Sequence, residues 1–265
     1  MISLTFIGHA SWLIESGGKR ILTDPVFSTR LGGIWPRVSS PGLNLNELPP
    51  IDAILISHPH LDHMDIPTLR RLPRNAVLVV PQNTESLANR LGYRETAALE
   101  NWQEIQPLDD LAITAVPAKH LGIRSWGMGA HARGAVGYIV EIDGQSIYYA
   151  GDTAYGPHFS EIRERCHPML AMLPIGAYRP WFFMRHFHMN PEFALKAFKD
   201  LEAKWLAPYH WGSFVLSFEP VTEPLKLLKK KAEQMGVLDR ILIIPRGKTA
   251  LMNDGTPQIK PYEKT

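Results

Sequence analysis

Apolar residues along the chain gather in short blocks separated by polar, glycine- or proline-containing breaks. The blocks "LTFIG", "WLIES", "RILTD", "AILIS", "VLVVP", "LAITAVP", "AVGYIVEID", "SIYYAGD", "LAMLPI", "KWLAPYH" and "RILIIP" are rich in β-branched and aromatic residues. They are bounded by Gly, Pro, Asp or Asn, the pattern of β-strands. Helical spacing occurs between some of them. In "NPEFALKAFKDLE", Phe193, Ala194, Ala197, Phe198 and Leu201 recur at helical intervals behind an Asn190 N-cap and a Pro191 at the first helical position. "TESLANRLG" reads as a helix that ends at Gly92, a favourable C-cap. "EPLKLLKKKAEQMG" reads as a basic amphipathic helix whose lysines form a solvated face. The opening strands look antiparallel, and strands mix with helices further on. The expectation is an α/β fold with a sheet-based core covered by helices.

Length adds one constraint. The 265 residues show no repeat and no low-complexity linker, so one domain is expected over residues 1–265, with "WPRVSSPGLNLNELPPID" as a long surface loop. Hydrophobic residues make up 45% and charged residues 20%, the balance of an ordinary globular chain. A net charge of +2 gives no sign of a nucleic-acid binder. The single cysteine excludes an internal disulfide, and Cys166 reads as a small residue that is buried or half-buried. The N-terminus carries no basic leader, and no apolar run approaches the roughly 18 residues of a membrane span. These features lead us to expect a cytoplasmic protein without a transmembrane segment; peripheral membrane contact stays open, and oligomeric state is not readable.

Candidate chemistry concentrates in "LISHPHLDHMD", residues 55–65. The block "AILIS" ends where the histidines begin. His58 and His60 stand two apart at a strand end and share a face, and a turn carries Asp62 and His63 to a neighbouring position. Imidazole and carboxylate suit zinc. Four ligand-type side chains within six residues exceed what one tetrahedral ion takes from a local segment, which points to two metals.

"SHPHLDHMD" resembles the HxHxDH signature of the metallo-β-lactamase fold superfamily, which asks for a later His, then an Asp, then a last His. The chain supplies "AVPAKH" with His120, "YYAGDTAY" with Asp152 and "LAPYHWGSF" with His210. Taken singly, His120 would be a structural histidine and Asp152 a turn residue. "GHASWLIE", "LTDPVFSTR", "HMNPEFAL" and "HWGSF" narrow the resemblance to the branch of N-acylphosphatidylethanolamine-hydrolysing phospholipase D, and more distantly to ascorbate-6-phosphate lactonases. It spans roughly residues 4 to 253.

The resemblance implies an αββα sandwich of two mixed sheets flanked by helices. It implies that His58, His60 and His120 hold one zinc, that Asp62, His63 and His210 hold the other, and that Asp152 bridges; Mn2+ or Fe2+ would suit the same donors. Two zinc ions outweigh two carboxylates, so the site favours an anionic substrate. The implied activity is hydrolysis of a lipid or small phosphodiester, of phospholipase D type, by a metal-bridging hydroxide. A lactonase acting on a phosphorylated sugar lactone is the runner-up, and a non-catalytic metal-binding module the third reading.

Around these positions, His188 lies just before the Asn190 cap, where a helix N-terminus favours an anion. By resemblance it binds or protonates a phosphate oxygen, making His188 and Asp62 the catalytic candidates. Asp24 in "LTDPVF" is, by resemblance, a residue behind the ligands that orients their loop. His9 either lines the site or is a satisfied core histidine, and His186 falls outside the set. Tyr178, Trp181, Phe182, Phe183 and Met184 form either an apolar lip or a patch of core or dimer packing, and Trp35 would extend the lip.

Overall fold

The apolar blocks fold into two facing β-sheets, as described by a computed structural model covering residues 1–125, 131–253 and 257–263. Ile2–Gly8, Ser11–Ser16 and Lys19–Thr23 make an antiparallel meander, with Phe6 opposite Trp12 and Trp12 opposite Thr23. Ala53–Leu55, Val77–Pro81 and Glu95–Leu99 then add in parallel beside it. Lys248–Met252 and Gln258–Pro261 complete the eight-stranded sheet at the other edge. The second sheet has six strands, in the order Trp205–Tyr209, Leu170–Pro174, Gln145–Tyr149, Val136–Ile142, Leu111–Pro117 and Glu104–Leu108. It too is antiparallel in one half and parallel in the other.

Successive side chains of a strand point to opposite faces. Leu4, Phe6, Trp12 and Ile14 enter the layer between the sheets, where they meet Ile113, Tyr138, Val140 and Tyr149. Ile7, Leu13, Leu22 and Ile54 point the other way, under Leu43, Met64, Leu69 and Leu91. Both faces are covered, so the strands read as continuous apolar blocks without alternation. The outer face of the second sheet packs on helices His158–Cys166, Pro191–Leu201 and Glu223–Gln234 through Phe159, Ile162, Leu195, Phe198 and Leu228. Layers therefore run helix, sheet, sheet, helix, although the first sheet is covered by the one-turn helices Ile66–Leu69 and Glu85–Ala88 and by loops.

Several elements differ from the expectation. "TESLANRLG" splits into the helical turn Glu85–Ala88 and a 3-10 turn, and Gly92 caps it in the left-handed conformation. "RILIIP" is no strand: Ile241 bridges Leu206 once, and Leu242 donates to the Leu206 carbonyl. Strands Glu95–Leu99, Glu104–Leu108, Lys248–Met252 and Gln258–Pro261 lie outside the apolar blocks. Cys166 is half-buried, and burial raises its thiol pKa. No helix among the described residues is long and apolar enough to cross a membrane.

Candidate metal centre

Four strands end at one rim of the sandwich. Ala53–Leu55 leads to His58–His63, Leu111–Pro117 to His120, Gln145–Tyr149 to Asp152, and Trp205–Tyr209 to His210. The first loop coils as it leaves the sheet: His63 and Met64 donate their N–H groups to the His60 carbonyl. Its far end is fixed by the Asp65 carboxylate, which accepts from Ser28 Oγ at 2.6 Å and from Thr68. At the last strand end, the His210 N–H donates to the His9 carbonyl at 3.0 Å. His9, Asp24 and His210 all have positive φ, at 58°, 32° and 63°. Strained backbone of this kind is a mark of functional sites. Gly176 is required at this crossing, because a Cβ there would stand 2.0 Å from the His210 carbonyl oxygen.

The donor atoms form two trios with one carboxylate between them. His58 Nε2 and His120 Nε2 lie 3.0 and 3.3 Å from His60 Nδ1. His63 Nε2 and His210 Nε2 lie 3.6 and 3.5 Å from Asp62 Oδ2. Asp152 Oδ2 sits between the trios, 3.2 Å from both His63 and His210 and 3.9 Å from His58. Nitrogen ligands at about 2.0–2.1 Å around a tetrahedral ion stand about 3.3 Å from each other, so this spacing matches a coordination shell. A second observation agrees. His63 Nε2, His210 Nε2 and Asp152 Oδ1 are buried without a hydrogen-bond partner among the described residues. Such orphans are rare in folded proteins and are explained by a cation that they share. The His/Asp cluster is therefore able to bind metal ions.

Backing groups fix which ring nitrogen faces inward. His63 Nδ1 donates to Asp24 Oδ2 at 2.6 Å. His58 Nδ1 donates to Ser57 Oγ at 2.9 Å, and that hydroxyl donates to Asp24 Oδ2 at 2.6 Å. His120 Nδ1 donates to the Phe187 carbonyl at 2.9 Å. Each leaves its Nε2 lone pair for the centre. Asp24 also takes the Ser57 N–H and the Tyr149 hydroxyl, so it lies behind the donors and not among them.

Charge divides unevenly over the cluster. Burial pushes His58 well below its ordinary range, and brings His120 to about 4. His9 and His188 fall to about 3, also through burial. His210 goes the other way: burial opposes its charge, but Asp152 and Asp62 outweigh it and lift the pKa to about 9. His63 is raised for the same reason. Burial likewise opposes ionisation of Asp62 and Asp152, yet the facing imidazoles hold both carboxyls well below the ordinary range.

His9 lies inside the cluster, with Nε2 3.0 Å from Asp62 Oδ2 and its ring 4.2 Å from that of His210. His188 stands beside the cluster: Nδ1 is 3.7 Å from Asp152 Oδ2, and its ring meets that of His120 at 5.0 Å. Asn190 closes that helix on its own by accepting from the Phe193 N–H. Phe182 and Phe183 are 75% and 55% exposed, while Tyr178 is buried. A cavity of about 410 Å³ adjoins the cluster, walled by Leu31, Trp35, Leu61, Ile123 and Leu216. His60, Asp62 and Arg124 are its polar residues. Sequence reasoning missed Ser57, Tyr149 and Arg124, which are single residues without a spacing signal.

Residues 19–211 match the family model described as the beta-lactamase superfamily domain. The chain belongs to that superfamily. A metal-dependent hydrolase of Pyrococcus furiosus from the UPF0173 group is 31% identical over 236 residues, covering 88% of this chain and 95% of its relative. The mitochondrial N-acyl-phosphatidylethanolamine-hydrolyzing phospholipase D of Saccharomyces cerevisiae is 34% identical over 257 residues, 92% of this chain. The chain spans 55% of that enzyme's length and 64% of a similar Mycobacterium tuberculosis protein. Among solved structures, the metallo-hydrolase Igni18 of Ignicoccus hospitalis shares the fold with a TM-score of 0.70 and 24% identity, covering 94% of this chain and 97% of that one.

Proposed function

We propose that the centre holds two zinc ions, and that the protein hydrolyses a phosphodiester of the N-acylphosphatidylethanolamine type by cutting on the phospholipase D side. In this reading His58, His60 and His120 hold one ion, Asp62, His63 and His210 the other, and Asp152 reaches both. Divalent cations supply Lewis acidity that makes water nucleophilic at neutral pH and offsets charge on the attacked phosphoryl group. Asp24 orients His63 directly and His58 through Ser57, and His9 holds Asp62. His188, kept neutral by burial, offers a hydrogen bond to the phosphoryl group. The apolar cavity takes the hydrophobic part of the substrate.

The observation that carries the reading is that cavity. Its volume suits a ligand of moderate size, its walls are apolar, and it adjoins His60 and Asp62. The activity named for the yeast relative supports the same choice. The test is incubation of the purified protein with vesicles containing N-acylphosphatidylethanolamine. Release of N-acylethanolamine, stopped by a chelator and restored by Zn2+, is expected. Turnover of a soluble diester without lipid cleavage overturns the lipid part. Opening of a phosphorylated sugar lactone, with no new phosphate monoester, favours the lactonase.

A further inference from the structure

We propose that Arg124 determines substrate specificity by pairing with an anionic oxygen of the substrate in the cavity beside the donor cluster. The inference rests on the hydrolase reading above and deepens it by giving a protein cation a share in recognising the charge.

Arg124 lies on the strand Ile123–Ser125, directly after Gly122. That glycine is pressed against the metal-ligand loop: a Cβ there would stand 2.9 Å from His58 Cβ and 2.3 Å from the Gly134 carbonyl oxygen. The strand is therefore held against the loop at this point, and Arg124 adds a second tie. Its Nη1 donates to the carbonyls of Pro59 at 3.3 Å and Met64 at 2.7 Å, one near each end of the ligand segment. A guanidinium has five N–H donors in a rigid plane. Nη1 accounts for two of them. Among the described residues, Nε and Nη2 have no acceptor.

Of the described residues lining the cavity, Arg124 is the one cation, and the walls are mostly apolar. Asp65 is the carboxylate whose charge it feels, and Asp65 is already engaged by Ser28 and Thr68. Asp62 is engaged by His9 and the donor cluster. The Nε and Nη2 groups are not sealed in the interior, so a ligand in the cavity can reach them. A phosphodiester oxygen offers an acceptor of the right charge, and the clamp at Nη1 spares most of the ordering cost of forming the pair.

The test compares the metal-loaded wild type with Arg124→Gln and Arg124→Lys. Hydrogen bonds to charged groups are worth about 1.5–3 kcal/mol, which corresponds to roughly 10–150-fold. Arg124→Gln should weaken equilibrium binding of an alkylphosphonate, and lower kcat/KM for an anionic diester, by a factor in that range. The loss of kcat/KM for a neutral carboxylic ester, which reports the loosened tie on the ligand loop alone, should be smaller than that factor, with the bound-metal stoichiometry retained. Arg124→Lys, which keeps the charge and loses the fork, should show a smaller loss confined to the anionic ligands. Equal losses on charged and neutral substrates, or loss of metal in either variant, would show that Arg124 is only a clamp and overturn the proposal. If the wild type cleaves no diester, the functional reading fails, and phosphonate affinity still decides the role of Arg124.

Discussion

His63 donates through Nδ1 to Asp24 Oδ2 at 2.6 Å, and both side chains are fully buried. The same oxygen receives the Ser57 hydroxyl, which in turn receives His58 Nδ1. One carboxylate thus sets the tautomer of a histidine in each trio. Removing a group of this kind typically costs 10–100-fold in metal affinity. Asp24→Asn is expected to lower the metal affinity of the cluster by about 10–100-fold. Titration against a competing chelator would measure it. Unchanged affinity would mean that packing alone orients the rings.

Gly176 and His210 are bound by a steric condition. The Gly176→Ala methyl would stand 2.0 Å from the His210 carbonyl oxygen, so one of two backbone segments must shift. Overpacking of this kind costs about 1–3 kcal/mol. The shift would fall on a metal-ligand candidate, so the loss should be accompanied by weaker metal binding. Gly92 provides the contrast: its φ is positive, at 74°, and a Cβ there meets nothing within 4 Å, so only backbone strain opposes a side chain. Gly92→Ala is expected to cost about 1 kcal/mol from backbone strain alone and to leave metal binding untouched. Chemical denaturation with and without metal separates the two.

The sheet centres were legible and their edges were not, for one physical reason. "AILIS" and "VLVVP" are covered on both faces, so every position is apolar. Gln258–Pro261 is exposed throughout, and Glu104–Leu108 alternates exposed with half-buried positions, so neither leaves an apolar block. "RILIIP" shows the converse: Ile241, Leu242 and Ile244 are buried, yet a single bridge to Leu206 holds them beside the sheet. At the centre, His58, His60, Asp62 and His63 stand out because four donors are contiguous. His120, Asp152 and His210 needed an ordered pattern of strand ends. His9 is one histidine among eleven, and only its place 3.0 Å from Asp62 distinguishes it. His188 is marked in the sequence by its spacing to the Asn190 cap, and its Nδ1 lies 3.7 Å from Asp152.

Phe182 and Phe183 sit on the helical turn Trp181–Met184 and remain mostly exposed. Their exposure argues against core packing. Replacing both by Ser should leave the unfolding free energy within about 0.5 kcal/mol, the usual range for surface substitutions. Burying a phenylalanine in an apolar phase is worth about 1.5–3 kcal/mol. If the turn serves as a lip for a lipid substrate, association with lipid vesicles should fall at least tenfold in the double variant. A sedimentation assay checks this, and unchanged association would remove the turn from the lipid-facing surface.

Metal uptake should release protons, and the cluster's own charges set the sign. Burial disfavours a charged His210, but Asp152 and Asp62 overcome it and raise the pKa to about 9, with His63 raised alongside. Before metal enters at pH 7, at least one of these rings is protonated. A histidine ligand must be neutral, so the proton competes with the metal. His9 and His188, at about 3, are already neutral and release nothing. Affinity should therefore rise with pH, by about tenfold per unit for each proton released, with the His210 contribution levelling off as pH passes about 9. Calorimetric titration with Zn2+ at pH 7, in buffers of different ionisation enthalpy, should report at least one proton per protein. A buffer-independent enthalpy would show that the carboxylates do not hold a proton on these histidines.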